Sequence, residues 1–241
     1  MERKKIIAHR GASAYEKENS IESFTKAVSF GADMIEFDVR ETSDGVLIAY
    51  HDASIKGREI KNISYKDLLE LSKKNEFNIP KVEEIVESLK GKIGFQVHLK
   101  YSNSAIKLAE LMKELVNDED FMIISDHIEA LKLIKDKYPK ITIGYILFKG
   151  DALKFLYRFF ISRIAPQYLM KNSCKCDFEF VIPDYHLAGK RFLLEAKRRG
   201  CKVLPWTINR PAVMLRFLKK EHIYGISTDK PDVAMSLLNK L

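Results

Sequence analysis

Two carboxylates stand where a strand should be apolar. In MIEFDVR (34–40), Glu36 and Asp38 are set two apart among Met34, Ile35, Phe37 and Val39. Side chains alternate across a strand, so both acids share one face and call for a cation or a proton. ETSDG follows, then VLIAYHD (46–52), a second strand reached by a turn too short for a crossover helix, so the two run antiparallel as a hairpin. Counting outward from Ser43 and Asp44 sets His51 roughly opposite Glu36. His9 follows the first apolar run directly, and His98 nearly ends another in FQVHLK. Any one histidine at a strand end is explained by a backbone partner. The coincidence of His9, Glu36, Asp38, His51 and His98 at or near strand ends points instead to one shared site, whereas His127, His186 and His222 fall in helices or loops and are read as structural.

The elements that must position these groups are legible as β-rich runs alternating with segments of helical period. Strands are predicted over 5–8, 34–39, 93–99, 121–125, 141–147, 179–182, 202–207 and 224–228. The first helix opens at ENSIESF, with Asn19 as cap, Glu22 three residues later, an apolar face of Ile21, Phe24, Ala27 and Val28, and Gly31 as terminator. Further helices are predicted over 104–116, 126–137, 187–199 and 211–220, with a last one starting near Pro231. Eight strands alternating with helices over 241 residues indicate a (β/α)8 TIM barrel carrying a β-hairpin at its carboxyl-end face, with a doubly wound open sheet as the alternative. In the barrel, active sites sit at the carboxyl ends of the strands, where His9 and the acids fall.

Composition narrows the function classes. A chain with 46% hydrophobic residues can bury a large core, and no linker, low-complexity tract or repeat divides it, so a single domain over 1–241 is expected. The net charge of +8, from 41 Lys and Arg against 33 Asp and Glu, is scattered in pairs with no aromatic-interleaved basic stripe, so solvated surface is expected rather than a nucleic-acid partner. The apolar run Ile6, Ile7, Ala8 is too short for the core of a secretory signal. FLYRFFISRIAPQYLM (155–170) is interrupted by Arg158, Arg163 and Pro166, which excludes a transmembrane helix and leaves an outer helix or capping loop, with peripheral membrane contact as the other reading. Cys174, Cys176 and Cys201 make an odd count, and CKC lacks the spacing of a zinc knuckle or redox pair, so a cytoplasmic protein is expected.

At the level of motifs, IIAHRGASAYEKENSIESFTKAVSFGADMIEFDVRETSDGVLIAYHD resembles the amino-terminal signature of the glycerophosphodiester phosphodiesterase family: HRG, EN before S or T, a helix ending in GAD, IE-x-DV, T-x-DG and HD. IPKVEEIVESLKGKIGFQVHLK, VLPWTIN and YGISTDKPD resemble later segments of the same family, so the likeness spans almost the whole chain and is weakest over 148–180. The resemblance implies a TIM barrel that uses one divalent cation, Mg²⁺ or Ca²⁺, and two histidines to cleave glycerophosphodiesters into sn-glycerol 3-phosphate and an alcohol. Position by position, it implies Glu36 and Asp38 as metal ligands, His9 and His51 as acid/base groups, Arg10 and Lys100 beside the substrate phosphate, and Trp206 in the wall of the substrate cleft. The chemistry is coherent. A cation and a forked guanidinium stabilise charge building on phosphorus oxygens, one imidazole takes a proton and the other gives one, and the nucleophile is either water or the glycerol's own hydroxyl. Which histidine does which stays open.

Two departures from the family pattern follow. Where it has a glutamate as third metal ligand, this chain has His98, kept on one face with Gln96 and Lys100 by strand alternation. Either imidazole ligates and shifts preference toward Mn²⁺ or Zn²⁺, or the ion keeps Glu36, Asp38 and waters with His98 beside them, or the site binds metal poorly and the protein is a weak enzyme or a phosphodiester-binding relative. Second, SDHIEAL stands where relatives show Ser-Phe-Asp, so Asp126 replaces an aromatic and is expected to alter the cleft wall. A variant activity on lysophospholipids, with 155–170 meeting the lipid tail, is the runner-up.

Overall fold

The structure, a computed structural model, describes residues 3–73, 78–147, 152–164 and 178–241. Its strands are β1 (Lys5–His9), β2 (Met34–Glu41), β3 (Leu47–Ala49), β4 (Ser54–Ile55), β5 (Arg58–Glu59), β6 (Gly94–Leu99), β7 (Phe121–Ser125), β8 (Thr142–Leu147), β9 (Phe180–Pro183), β10 (Lys202–Val203) and β11 (Gly225–Thr228). The helices are α1 (Ile21–Ser29), α2 (Tyr65–Lys73), α3 (Val82–Leu89), α4 (Ala105–Leu115), α5 (Ile128–Lys137), α6 (Ala152–Ile164), α7 (Lys190–Arg198), α8 (Pro211–Leu218) and α9 (Pro231–Leu238). Eight strands pair in parallel around a ring in the order β10, β9, β8, β7, β6, β2, β1, β11, with β3 folded back antiparallel on β2. The ring is all but closed by a parallel bridge between Val203 and Ile223, with Tyr224 N–H donating to the Val203 carbonyl at 2.9 Å. This is the (β/α)8 barrel expected from the alternation.

Alternation along β2 explains how one strand serves both a core and a site. Ile35, Phe37 and Val39 face outward and pack with Phe24, Ala27, Phe95 and Val97 in the layer between strands and helices. Phe24 and Phe37 are fully buried, with ring centroids 5.8 Å apart, and each contributes about 1.5–3 kcal/mol of apolar burial. Met34 faces inward with Ile7, Met122, Ile124, Ile146, Phe180 and Ile182, a second apolar cluster that fills the lumen. Glu36 and Asp38, on Met34's face, continue the lumen toward the carboxyl end.

Three differences from the sequence expectation have physical causes. The cap of α1 is Ser20, not Asn19: Ser20 is extended (φ −110°, ψ 156°) and its hydroxyl accepts the Ser23 N–H at 3.1 Å, whereas Asn19 has φ 57° and cannot fill a cap's conformation. Gly31, at φ 75°, does end α1 in the left-handed region. The strand expected over 202–207 stops at Val203, because Pro205 offers no N–H to a ladder. The hairpin register pairs Val39 with Ala49, and Tyr50 N–H donates to the Asp38 carbonyl at 2.9 Å, so His51 lies one residue off the expected partner.

Residues between β3 and α3 form an addition at the barrel mouth. The β4–β5 hairpin and α2 gather Ile48, Ile55, Ile60, Ile63, Leu68 and Ile79 into a small cluster of their own. Cys174 and Cys176 lie outside the described residues, as does 165–170 of the apolar stretch; Cys201 is buried. Among the described residues no helix is long and apolar enough to cross a membrane.

Candidate active site

At the carboxyl ends of the strands opens a cleft. It is lined by His9, Arg10, Glu36, Asp38, His51, His98, Lys100 and Trp206, the eight residues given site roles from the sequence, by Asp126, expected in the cleft wall, and by Gln96, Ile124, Ile146, Ile182 and Ser227. Apart from Asp126, which follows β7, the charged groups come from β1, β2 and β6 and the segments that follow them. The opposite wall, from β7, β8 and β9, supplies Ile124, Ile146 and Ile182.

The floor of the charged half is the group Glu36, Asp38 and His98, whose ligand atoms all lie within 4.8 Å of one another. In-register pairing of β2 with β6 sets Asp38 against His98 and Glu36 against Gln96. His98 Nδ1 is 3.0 Å from Asp38 Oδ1 and 3.6 Å from Glu36 Oε1. The Lys100 ammonium sits 2.7 Å from the same Asp38 oxygen, and Arg10 Nε is 3.1 Å from its other oxygen. Burial at 1% exposure would push the Asp38 carboxyl up, but the His98 hydrogen bond and the Lys100, His98 and Arg10 charges hold it well below the usual carboxylate range. A charged carboxylate next to a second acid and an imidazole is a group that could hold a cation. Two oxygen donors with an imidazole match a divalent ion, and His98 Nε2 is buried with no hydrogen-bond partner among the described residues, a donor atom left for a ligand.

Local backbone shapes this floor. Arg10 takes φ 55°, which turns its N–H onto Glu36 Oε2 at 2.9 Å while its side chain reaches Glu18 at 2.8 Å and Asp38. Gly11 follows at φ 82°, and a Cβ there would lie 2.3 Å from the Ser23 hydroxyl, so the turn demands glycine. Asn19, freed from capping, is buried against β2: its amide donates to Asp38 Oδ2 at 3.2 Å and its carbonyl accepts the Asp38 N–H at 3.1 Å. Pattern reading had placed Asn19 on the wrong task; its conformation, not its type, makes it a support for the acid.

The two histidines differ in their partners. His9 Nδ1–H donates to Asp229 Oδ1 at 2.8 Å, and Asp229 is itself held by Asn209 and by the Ser13 hydroxyl at 3.1 Å. Burial would lower the His9 pKa, but the Asp229 hydrogen bond and the charges of Glu36 and Asp229 outweigh it and raise it above 6.5. His51 Nδ1 meets Asp52 at 2.8 Å at the exposed rim. There burial, helped by the Arg10 and Lys100 charges, wins over Asp38 and Asp52 and lowers the His51 pKa. Asp229 was visible in the sequence only as part of a turn, and its position just past the last strand was the one signal that it shares the site. Trp206 stacks obliquely on His9, centroids 6.1 Å apart, with its indole N–H donating to the Ile182 carbonyl at 3.2 Å. His127, His186 and His222 lie outside this cleft.

Residues 9–233 match the model of the Glycerophosphoryl diester phosphodiesterase family. A glycerophosphodiester phosphodiesterase of Caldanaerobacter subterraneus is 28% identical over 254 residues, covering 98% of each chain. The lysophospholipase D GDPD1 of Rattus norvegicus is 27% identical over 280 residues, covering 98% of this chain and 86% of that one. An Oleispira antarctica phosphodiesterase, solved in complex with the product sn-glycerol-3-phosphate, shares the fold with a TM-score of 0.81 at 21% identity, over 98% of this chain and 97% of that one. With a match running from the end of the first strand past the last, the chain belongs to the glycerophosphoryl diester phosphodiesterase family of phosphoric diester hydrolases.

Proposed function

We propose that the chain hydrolyses glycerophosphodiesters to sn-glycerol 3-phosphate and an alcohol, with His9 as general acid, His51 as general base and one divalent cation held by Glu36, Asp38 and His98. The observation that carries this reading is the meeting of both imidazoles with the acid pair in one cleft. When bound, the cation supplies charge stabilisation to the oxygens of the phosphorus centre. The donor set favours Mn²⁺ or Zn²⁺ over the all-oxygen preference of Mg²⁺ and Ca²⁺.

The chain's own residues divide the remaining work. Asp52 and Asp229 can only accept, so each histidine carries a proton on Nδ1 and presents Nε2 to the cleft. At His51 the lowered pKa leaves Nε2 bare, ready to take a proton from the attacking hydroxyl. At His9 the raised pKa keeps Nε2–H in place for the departing alkoxide. Arg10, oriented by Glu18, offers its fork to the phosphate, and Lys100 adds a point charge from the floor. Trp206, packed on His9, closes the apolar side. We also assign to this reading one barrel domain over 1–241, a cytoplasmic setting, a small-molecule partner and no nucleic acid, supported by the undivided composition, the odd cysteine count and the scattered basic charge.

Release of glycerol 3-phosphate from glycerophosphocholine, assayed across a panel of divalent ions with a chelator control, tests the assignment. Turnover that the chelator removes, and that His9→Ala and His51→Ala each abolish, is the expected result. No turnover of any diester or lysolipid with any ion refutes it and leaves a phosphodiester-binding relative. A second reading, cleavage of lysophospholipids, draws on the apolar cleft wall and on α6, where Leu156, Phe160 and Ile164 recur at four-residue spacing and are exposed. Turnover confined to long-chain lysolipids favours it.

A further inference from the structure

The charged half of the cleft accounts for the phosphate, but one group on its far side is not used by that chemistry. Asp126 is the only carboxylate lining the cleft, among the described residues, outside the Glu36, Asp38 and His98 group. Its place is well defined. β7 pairs with β6 so that His98 adjoins Ile124, and continuing that register sets Asp126 beside Lys100. Its neighbours are pinned to the end of β6: the Ser125 hydroxyl donates to the Leu99 carbonyl at 2.9 Å, and His127 Nε2 donates to the Lys100 carbonyl at 3.2 Å.

Its charge is poorly matched. Lys100 is turned to Asp38 at 2.7 Å, and the nearest ion-pair neighbour of Asp126 is His127 Nε2 at 3.9 Å, whose proton is already directed to a carbonyl. A carboxylate facing a cleft that must admit an anionic phosphodiester repels the substrate unless something positive arrives with it. The strands that end just before Lys100 and Asp126 are about 5 Å apart, comparable to the reach from phosphorus across a two-carbon spacer to an ammonium nitrogen. The apolar side chains of Ile124, Ile146 and Ile182 line the same wall and suit methyl or methylene groups around that nitrogen.

We propose that Asp126 selects phosphodiesters whose leaving alcohol carries a positive charge, that is, amino-alcohol headgroups bearing a primary or quaternary ammonium. This rests on the hydrolase reading of the site and adds its headgroup specificity. The phosphate lies over Arg10 and Lys100, the departing group points toward β7, and its nitrogen meets the carboxylate at the rim.

The test compares kcat/KM for glycerophosphocholine and glycerophosphoethanolamine with that for the neutral-headgroup diester glycerophosphoglycerol, in the wild type and in Asp126→Asn. The wild type is expected to favour both cationic substrates by about fivefold, the scale of a half-exposed ion pair. Asp126→Asn collapses that ratio toward unity, chiefly through KM. A ratio that the substitution leaves unchanged, or a wild type that prefers the neutral diester, overturns the assignment. Calorimetric binding of the same diesters to the His51→Ala protein, with and without Asp126→Asn, reads the preference independently of turnover. Wild-type protein that shows this binding preference yet turns over none of the diesters overturns the hydrolase reading and supports the role of Asp126.

Discussion

Asp229→Asn isolates the division of labour between the two histidines. The substitution keeps the shape of the side chain that holds His9 Nδ1 at 2.8 Å and removes its charge. A hydrogen bond to a charged group in a shielded setting is worth about 1.5–3 kcal/mol. That interaction favours the protonated imidazole, so losing the charge lowers the His9 pKa. The sign follows from its role: a general acid must be protonated, so activity is lost as pH rises through the His9 pKa, and the raised pKa sets that limb high. Neutralising Asp229 moves the alkaline limb of the kcat profile to lower pH and leaves the acid limb, set by His51, where it was. The assay is kcat against pH at saturating substrate and fixed divalent ion, with thermal melting to establish that the barrel is intact. An alkaline limb that does not move, or a shift of the acid limb instead, refutes the assignment of His9 as acid.

His98→Glu restores an all-carboxylate group and is expected to move ion preference toward Ca²⁺ and Mg²⁺, read as the order of activation across the ion panel and as calorimetric affinities. An unchanged order means that His98 does not contribute a ligand atom. On the outer face, Glu195 is paired with Arg198 at 2.8 Å and with Arg199, and its pKa is lowered to about 2 by the Arg198 hydrogen bond foremost, with the Arg199 hydrogen bond and both charges adding to it against the opposing effect of burial. Because the folded-state value is depressed, this contribution is complete above the ordinary carboxylate pKa and is lost as pH falls toward about 2. Glu195→Gln therefore lowers urea stability by about 0.5–1 kcal/mol at pH 7, with a smaller difference at pH 3; equal effects at both pH values contradict the pairing.

The ring of strands was legible because alternation and length are local properties. β7 and the start of β2 coincide with the expected bounds, and the inward face of Glu36, Asp38 and His98 follows from a period of two. Those residues could be assigned together because they lie on parallel strands that share one mouth in a barrel. What escaped was set by conformation and by distance in the chain. Asn19 reads as a cap until its φ of 57° is known, and Ser20 takes the cap instead. Asp229 meets His9 across 220 residues, a contact fixed only by the pairing of β1 with β11. The helix α2 and the cluster around Ile60 and Leu68 belong to the addition after β3, which has no place in a strictly alternating pattern.

The two walls of the cleft have different consequences for how such a protein can change. The proposed proton transfer and cation binding rest on β1, β2 and β6, whose outward faces pack into the core, so drift there costs both reactivity and folding. The strands β7 to β9 turn Ile124, Ile146 and Ile182 into the cleft, side chains that neither move protons nor ligate a cation. New substrate ranges are therefore open to natural variation or laboratory evolution through a few exchanges on that side, with the reaction itself left standing.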